Sequence, residues 1–265
     1  DAFQGKGANG ALAGLHVFVR LILPVFALAG LLIWVSWKWG RLFCGWLCPH
    51  FPLVEFINAL VVRACGKVSL WDAERLPAYR PDGSRRPVAP RWWWLAALVS
   101  VVVAFSWAVV LLTYVLPPSE IYSRLWRGDL TRNQGVFLAV VTMVLSLDFL
   151  FARHLFCRYL CSVGLFQSLA WMKNRAALVV GFDRTRAADC SDCLPDRSAA
   201  CNAVCPMRLK PRSIKRHMIT CTQCALCLEA CAETQQGNAA GPLLTWVSGE
   251  AARQNEAGFS AARQR

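Results

Sequence analysis

The stretch Cys190-x2-Cys193-x7-Cys201-x3-Cys205-Pro206, followed by Cys221-x2-Cys224-x2-Cys227-x3-Cys231, carries eight of the chain's 13 cysteines. The second run has the spacing at which three close thiolates hold three corners of a 4Fe-4S cubane while the fourth thiolate serves another cluster. The crossed pattern assigns Cys190, Cys193, Cys201 and Cys231 to one cluster and Cys221, Cys224, Cys227 and Cys205 to the other. The x7 gap is longer than the x2 of the second run and reads as a small inserted loop, Leu194 to Ala200, that still lets Cys201 return to its cubane. Zinc takes four ligands, usually as two separated pairs, and this run crowds its thiols more closely. Disulfides need an oxidising compartment, against which the topology below argues.

A small iron–sulfur domain does not need a chain that is 56% hydrophobic with 12 tryptophans, so a membrane part is required. At 265 residues the chain has room for one or two domains. The formal net charge of +13 would suit a phosphate backbone. Lys and Arg, however, collect in loops beside apolar spans, as they do on the cytoplasmic side of membrane proteins, and positive charge eases the burial of anionic cubanes. Nucleic acid is therefore not an expected partner. The first residue is Asp and no secretory signal pattern is legible at the start, so the sequence reads as a fragment whose beginning is missing.

Residues 1–16, rich in Gly and Ala, read as an exposed lead-in. Residues 17–65 hold a first transmembrane helix, from about Val17 to Trp37, then a first cysteine motif and an interfacial or re-entrant helix. Arg20 can snorkel from the span, and Trp34, Trp37 and Trp39 form an interfacial belt. Residues 66–91 form a basic loop, placed in the cytoplasm by Lys67, Arg75, Arg80, Arg85, Arg86 and Arg91. Residues 92–174 hold two further spans, Trp92 to Leu116 and Gly135 to Phe151, joined by a short periplasmic connector, Pro118 to Gln134. Asp148, near the end of the third span, is expected to pair with Arg41 or Arg153; a proton or quinone contact is the alternative. Residues 175–235 are the double 4Fe-4S domain, entered through a short strand at Leu178 to Phe182. Residues 236–265 read as a tail with little to pack beyond Leu243, Leu244 and Trp246. The expected fold is mainly α, a polytopic membrane protein with three transmembrane helices plus a small α+β ferredoxin-like double-cubane domain.

Two stretches repeat one another. Arg41-Leu-Phe-Cys44-Gly-Trp-Leu-Cys48-Pro49 and His154-Leu-Phe-Cys157-Arg-Tyr-Leu-Cys161-Ser162 share Leu-Phe-Cys-x-aromatic-Leu-Cys, and each leads from a span into an apolar helix. Pro49 and Pro52 favour a helix start just past Cys48. Thiols at such a start meet a positive helix end, which favours thiolate. Copies at one membrane face would bring Cys44, Cys48, Cys157 and Cys161 together, because repeated halves with a site at their junction are a common membrane plan. Soft thiolates suit cuprous copper and iron–sulfur centres, with His50 and His154 as imidazole ligands. Buried structural thiols are the other reading.

The order of span, Phe-Cys-Gly-Trp-Leu-Cys-Pro, two spans, Phe-Cys-Arg-Tyr-Leu-Cys and a double-cubane segment resembles membrane-bound polyferredoxins of the NapH/NosR/CcoG type, over about residues 37–233. The runs Gly164-Leu-Phe-Gln-Ser168 and Cys231-Ala-Glu233 are similar to the cytochrome oxidase accessory group, whose members are linked to cupric ion reduction. The resemblance implies a bacterial inner-membrane, multi-pass protein with its ferredoxin domain in the cytoplasm and two 4Fe-4S clusters. It implies single-electron transfer between a cytoplasmic donor and a membrane-edge redox or copper centre at Cys44, Cys48, Cys157 and Cys161. The partners it implies are a redox protein or client oxidoreductase complex, with copper ions or quinone as further candidates. Cupric reduction, or a maturation role with structural clusters, are the rival functions.

Overall fold

The computed structural model describes residues 10–69, 71, 75–190 and 193–263, so residues 1–9 of the expected lead-in lie outside the described residues. The rest of that lead-in is not a coil. Helix α1 (Gly10–Val17) runs through a π-wound turn, Phe18–Ile22, into α2 (Leu23–Trp39). Together they supply a first apolar span of 26 residues, Gly14–Trp39. An apolar run in hydrocarbon must satisfy its own backbone, which favours carrying the helix back into the Gly/Ala stretch. The widened turn directly precedes Pro24, whose ring nitrogen cannot donate to a regular helical ladder.

Gly40, with φ of 80°, ends α2 and turns the chain into the first cysteine motif. Helix α3 (His50–Cys65) follows, capped by left-handed Gly66. The second span is α4 (Trp92–Thr113); the third is α6 (Arg132–Leu147), extended by a π-wound turn to Ala152. Thr131 and Gln134 start α6 with a reciprocal capping box. Small side chains let α4 lie close to its neighbours: Ala96, Ser100, Ala104 and Ala108 recur every four residues, all fully buried. Val54, Ile57, Leu60 and Val61 of α3 meet Ala96 and Ala104 of α4 and Phe149 after α6 in one core. At the far end the expected connector 118–134 contains α5 (Pro118–Arg127), whose Ile121 is buried against Ala108, Leu112 and Leu138.

After the second cysteine motif, α7 (Ser162–Lys173) packs on α2. It leads into β1 (Val179–Phe182), the expected entry strand. The cysteine segment contributes α8 (Ala200–Ala203) and α9 (Leu226–Thr234). The region 236–265 departs from its reading as a tail. It forms β2 (Leu244–Val247), antiparallel to β1 with Val179 opposite Val247 and Phe182 opposite Leu244, and then α10 (Glu250–Arg263). Leu243 and Leu244 are buried with Val180, Cys201 and Cys231, and these two leucines make the second strand part of the core.

Candidate metal centres

Both cysteine motifs adopt the same backbone. Phe43–Leu47 and Phe156–Leu160 are each one π-wound turn, closed by Cys48 N–H donating to Phe43 O at 2.8 Å and Cys161 N–H donating to Phe156 O at 2.9 Å. Cys48 and Cys161 are then extended, φ −70° and −68°, and stand at the starts of α3 and α7. The residue before each copy has positive φ, Gly40 in one and Arg153 in the other. The repeat in sequence is thus a repeat in conformation.

The copies interlock. Arg41, 1% exposed, donates through Nη2 to Cys157 O at 3.0 Å and through Nη1 to Thr220 O at 3.3 Å, and its Nη2 lies 3.7 Å from Cys44 Sγ. Arg153 and His154, in the matching place of the second copy, bond to α3: Arg153 Nη1 donates to Asn58 Oδ1 at 2.8 Å and His154 Nε2 pairs with Glu55 Oε1. The two arginines expected near Asp148 are therefore committed to joining the motifs. Cys44 Sγ donates to Gln167 Oε1 of α7 at 3.3 Å. Burial pushes the Cys44 thiol up while the Arg41 charge pulls it down, with Cys161 and Cys48 close enough to raise it further. Burial likewise pushes Cys157 up to about 12, with Cys161, Cys48 and Cys44 adding to the rise. Cys157 thus feels all three other motif thiols, and Cys44 feels Cys48 and Cys161. His50 stacks near Phe149 and Phe156 with ring centroids 5.5 Å and 5.6 Å away, and burial followed by the neighbouring His154 lowers its pKa. Among the described residues no three His, Cys, Asp or Glu are arranged to hold a single ion. Thiolates on a cubane bind different irons, so they stand farther apart than ligands to one ion.

In the C-terminal segment Cys201 is buried with Cys231, against Cys190 and Cys227. Burial pushes Cys201 up to about 12; Arg212 opposes this, and Cys190, Cys193 and Cys231 reinforce it. Burial pushes Cys221 up to about 12 and raises Cys227 further, each feeling the thiols of Cys205 and Cys224. A hollow is lined by Cys205, Cys221, Cys224 and Cys227, with Val180 and Met218 among its apolar walls. Buried thiols of this kind stay protonated unless a metal takes them as thiolates. An apolar hollow ringed by four of them suits a cubane, and the donor set fits the group. Arg212 Nη1 lies 3.4 Å from Cys190 Sγ and Leu209 N–H donates to Cys205 Sγ at 3.3 Å, contacts of the kind that tune cluster potentials.

The segments meet at the loop Thr220–Ala225, in which Gln223 and Ala225 have positive φ. A Cβ on Gly45 would lie 2.4 Å from Thr222 O, so only glycine lets the first motif approach this loop. Trp46 Nε1 donates to Gln223 O at 3.1 Å, and Gln223 Nε2 donates to Leu178 O at 3.0 Å. A Cβ on Gly164 would fall 2.2 Å from Arg41 Nη2, so α7 leaves room for the guanidinium. Phe51, Trp171, Met207 and Met218 form one core, and Cys48 and Cys157 pack against it together with Cys205, Cys221 and Cys224. Arg41, Gly45, Gly164 and Gln223 escape a search for ligands; the one signal was Arg41, which holds the place of His154 in the other copy.

Comparison with known proteins agrees with this picture. A family model described as "4Fe-4S binding domain" matches residues 21–67 and again residues 134–176, the two stretches that contain the motif copies. The chain is 26% identical to the protein YccM of Escherichia coli (strain K12), over 84% of this chain and 56% of that protein. It is 29% identical to the regulatory protein NosR of Stutzerimonas stutzeri, over 59% of this chain and 20% of that protein. With the ferredoxin-type protein NapH of Escherichia coli (strain K12) it shares 23% identity, over 80% of this chain and 63% of that protein. The matches thus span little more than half of the first of these proteins and a fifth of NosR. No solved structure matches. The resemblance to membrane polyferredoxins of the NapH/NosR type is borne out, and the matched domain supports iron–sulfur clusters.

Proposed function

We propose that this membrane polyferredoxin of the NapH/NosR type passes single electrons between a soluble donor and a membrane-edge redox site formed by Cys44, Cys48, Cys157 and Cys161. In this reading Cys190, Cys193, Cys201 and Cys231 hold one 4Fe-4S cluster, and Cys221, Cys224, Cys227 and Cys205 hold the other. Bound clusters supply the one-electron chemistry. The observation that carries the reading is the shared core in which Cys48 and Cys157 pack with Cys205, Cys221 and Cys224. Arg41 supports it: a buried guanidinium bonded to backbone carbonyls and set beside a thiol is strongly favoured when the surrounding thiols are anionic. Trp46, Gln223 and Lys215, whose Nζ donates to Trp171 O at 2.7 Å, fix the ferredoxin segment on the motifs. The chain lies in a bacterial inner membrane with its clusters on the cytoplasmic side, where the basic loop 66–91 belongs by the positive-inside rule.

The four grouped thiols are soft donors suited to cuprous copper, which supports cupric ion as the acceptor in a second reading. One experiment separates the two. The full chain in nanodiscs is reduced with dithionite, freed of excess reductant, and mixed in stopped flow with Cu(II) or with a short-chain quinone. The parent is expected to be reoxidised at least tenfold faster than Cys44→Ser/Cys161→Ser, with both cluster signals intact in the variant. Reoxidation by Cu(II) alone, with Cu(I) formed, selects the cupric reductase. Equal rates in parent and variant remove the four thiols from the path.

A further inference from the structure

A second hollow opens between the second cysteine motif and the ferredoxin segment, with Arg153, His154, Arg158 and Arg208 in its wall beside Leu155 and Met207. Among the described residues no carboxylate lines it. The Nε of Arg158 is buried without a hydrogen-bond partner among the described residues, as is the Nδ1 of His154, whose Nε2 is engaged by Glu55. A buried guanidinium N–H left without an acceptor is costly and calls for one from outside the chain. Arg158 is also held in place, with its guanidinium carbon 5.1 Å from the centroid of the Tyr159 ring.

Compensation of cluster charge is the competing role for these cations. The contacts separate the two roles. Arg41 and Arg212 lie within 3.7 Å and 3.4 Å of cysteine sulfurs, whereas Arg158 turns to Tyr159 and Arg153 to Asn58. The cavity also lies at a telling depth. Arg153 directly follows the third span, Arg132–Ala152, where hydrocarbon gives way to headgroups. Leu155, Tyr159 and Leu160 beside it are exposed, Leu160 by 72%, as side chains facing acyl chains would be. Basic pockets at this level bind lipid headgroup phosphates.

We propose that this cavity binds a phosphoryl group, supplied by the headgroup of an anionic phospholipid at the membrane edge. Inorganic phosphate offers the same oxygens, so the test includes both. The iron-loaded full chain in detergent is titrated with phosphatidylglycerol, phosphatidylcholine and inorganic phosphate, and bound species are counted by native mass spectrometry. Phosphatidylglycerol, whose headgroup keeps its net negative charge, is expected to bind at least about tenfold more tightly than phosphatidylcholine, whose quaternary ammonium the arginines repel. Arg158→Gln/Arg208→Gln is expected to lose that preference while keeping its iron. Arg208 is exposed, so Arg208→Gln alone, with a partial loss expected, replaces the double variant if the latter sheds iron. Equal binding of the two lipids, or a preference unchanged in the variants, overturns the proposal. Saturation by millimolar phosphate without a lipid preference overturns the lipid assignment and gives the pocket to a soluble anion.

Discussion

Replacing Arg41 with Gln removes a buried positive charge while leaving a side chain able to donate to Cys157 O or Thr220 O. The guanidinium Nη2 stands 3.7 Å from Cys44 Sγ, and the same charge is felt at Cys221, one residue beyond its acceptor Thr220. The 3.7 Å contact is to Cys44, and the cubane beyond Thr220 stands farther off; two unit charges about 8 Å apart interact by about 2 kcal/mol at an effective dielectric near 20. The charge added on reduction spreads over a cubane, and the guanidinium charge over three nitrogens, so roughly a third to a half of that survives. About 0.7–1 kcal/mol corresponds to a midpoint roughly 30–45 mV more negative for one electron. The assay is a redox titration followed by electron paramagnetic resonance, with both clusters measured in one sample. The Cys205/Cys221/Cys224/Cys227 cluster is expected to move by that amount. The Cys190/Cys193/Cys201/Cys231 cluster, whose nearest cation is Arg212, serves as an internal control and is expected to shift by less than about 20 mV. Arg41→Lys is expected to recover at least half of the shift. Equal shifts of both clusters, or no shift in an iron-replete variant, would refute the reasoning.

Gly45→Ala would place a methyl 2.4 Å from Thr222 O, a backbone atom with little freedom to yield. A cost of about 1–3 kcal/mol in docking is expected, seen as loss of roughly half of the iron; Gly30→Ala, with nothing within 4 Å, should keep all of it. Burial lowers the pKa of Lys215 from 10.5 to about 8. Between those values the unfolded chain binds more protons than the folded one, so stability in detergent should be flat below about pH 8 and rise toward pH 10. Lys215→Met should abolish the rise. Thr131→Ala removes one half of the α6 capping box and should lower stability by about 1 kcal/mol, measurable as an earlier thermal transition.

Length and apolarity located all three spans to within a few residues, because hydrocarbon leaves a chain little choice but helix. The entry strand β1 was legible as a short β-branched run. Its partner β2 was not, since Leu243, Leu244 and Trp246 look like isolated apolar residues in a polar stretch until the first strand is there to receive them. The Gly/Ala lead-in failed for a related reason: small residues signal turns in water, but from Gly10 the chain here is continuous with a membrane helix. For the site, spacing picks out the candidate thiols, and the repeat pairs Cys44 and Cys48 with Cys157 and Cys161. What spacing does not carry is the fit between segments. That Arg41 bonds across to Cys157 and Thr220, and that Gly45 lies under Thr222, are facts of packing with no local pattern.

The central claim is that the cysteines between Cys190 and Cys231 hold two clusters in crossed sets, and iron analysis with electron paramagnetic resonance on anaerobically purified, dithionite-reduced protein tests it most directly. The parent and the variants Cys201→Ser, Cys224→Ser and Cys48→Ser are compared. The parent should show spin-coupled cubane signals, with about eight iron per chain attributable to this segment. Cys201→Ser and Cys224→Ser should each remove a different one of the two signals, while Cys48→Ser keeps both. Full iron and both signals in Cys201→Ser and Cys224→Ser, with losses confined to Cys48→Ser, would contradict the account and place the clusters in the membrane motifs instead.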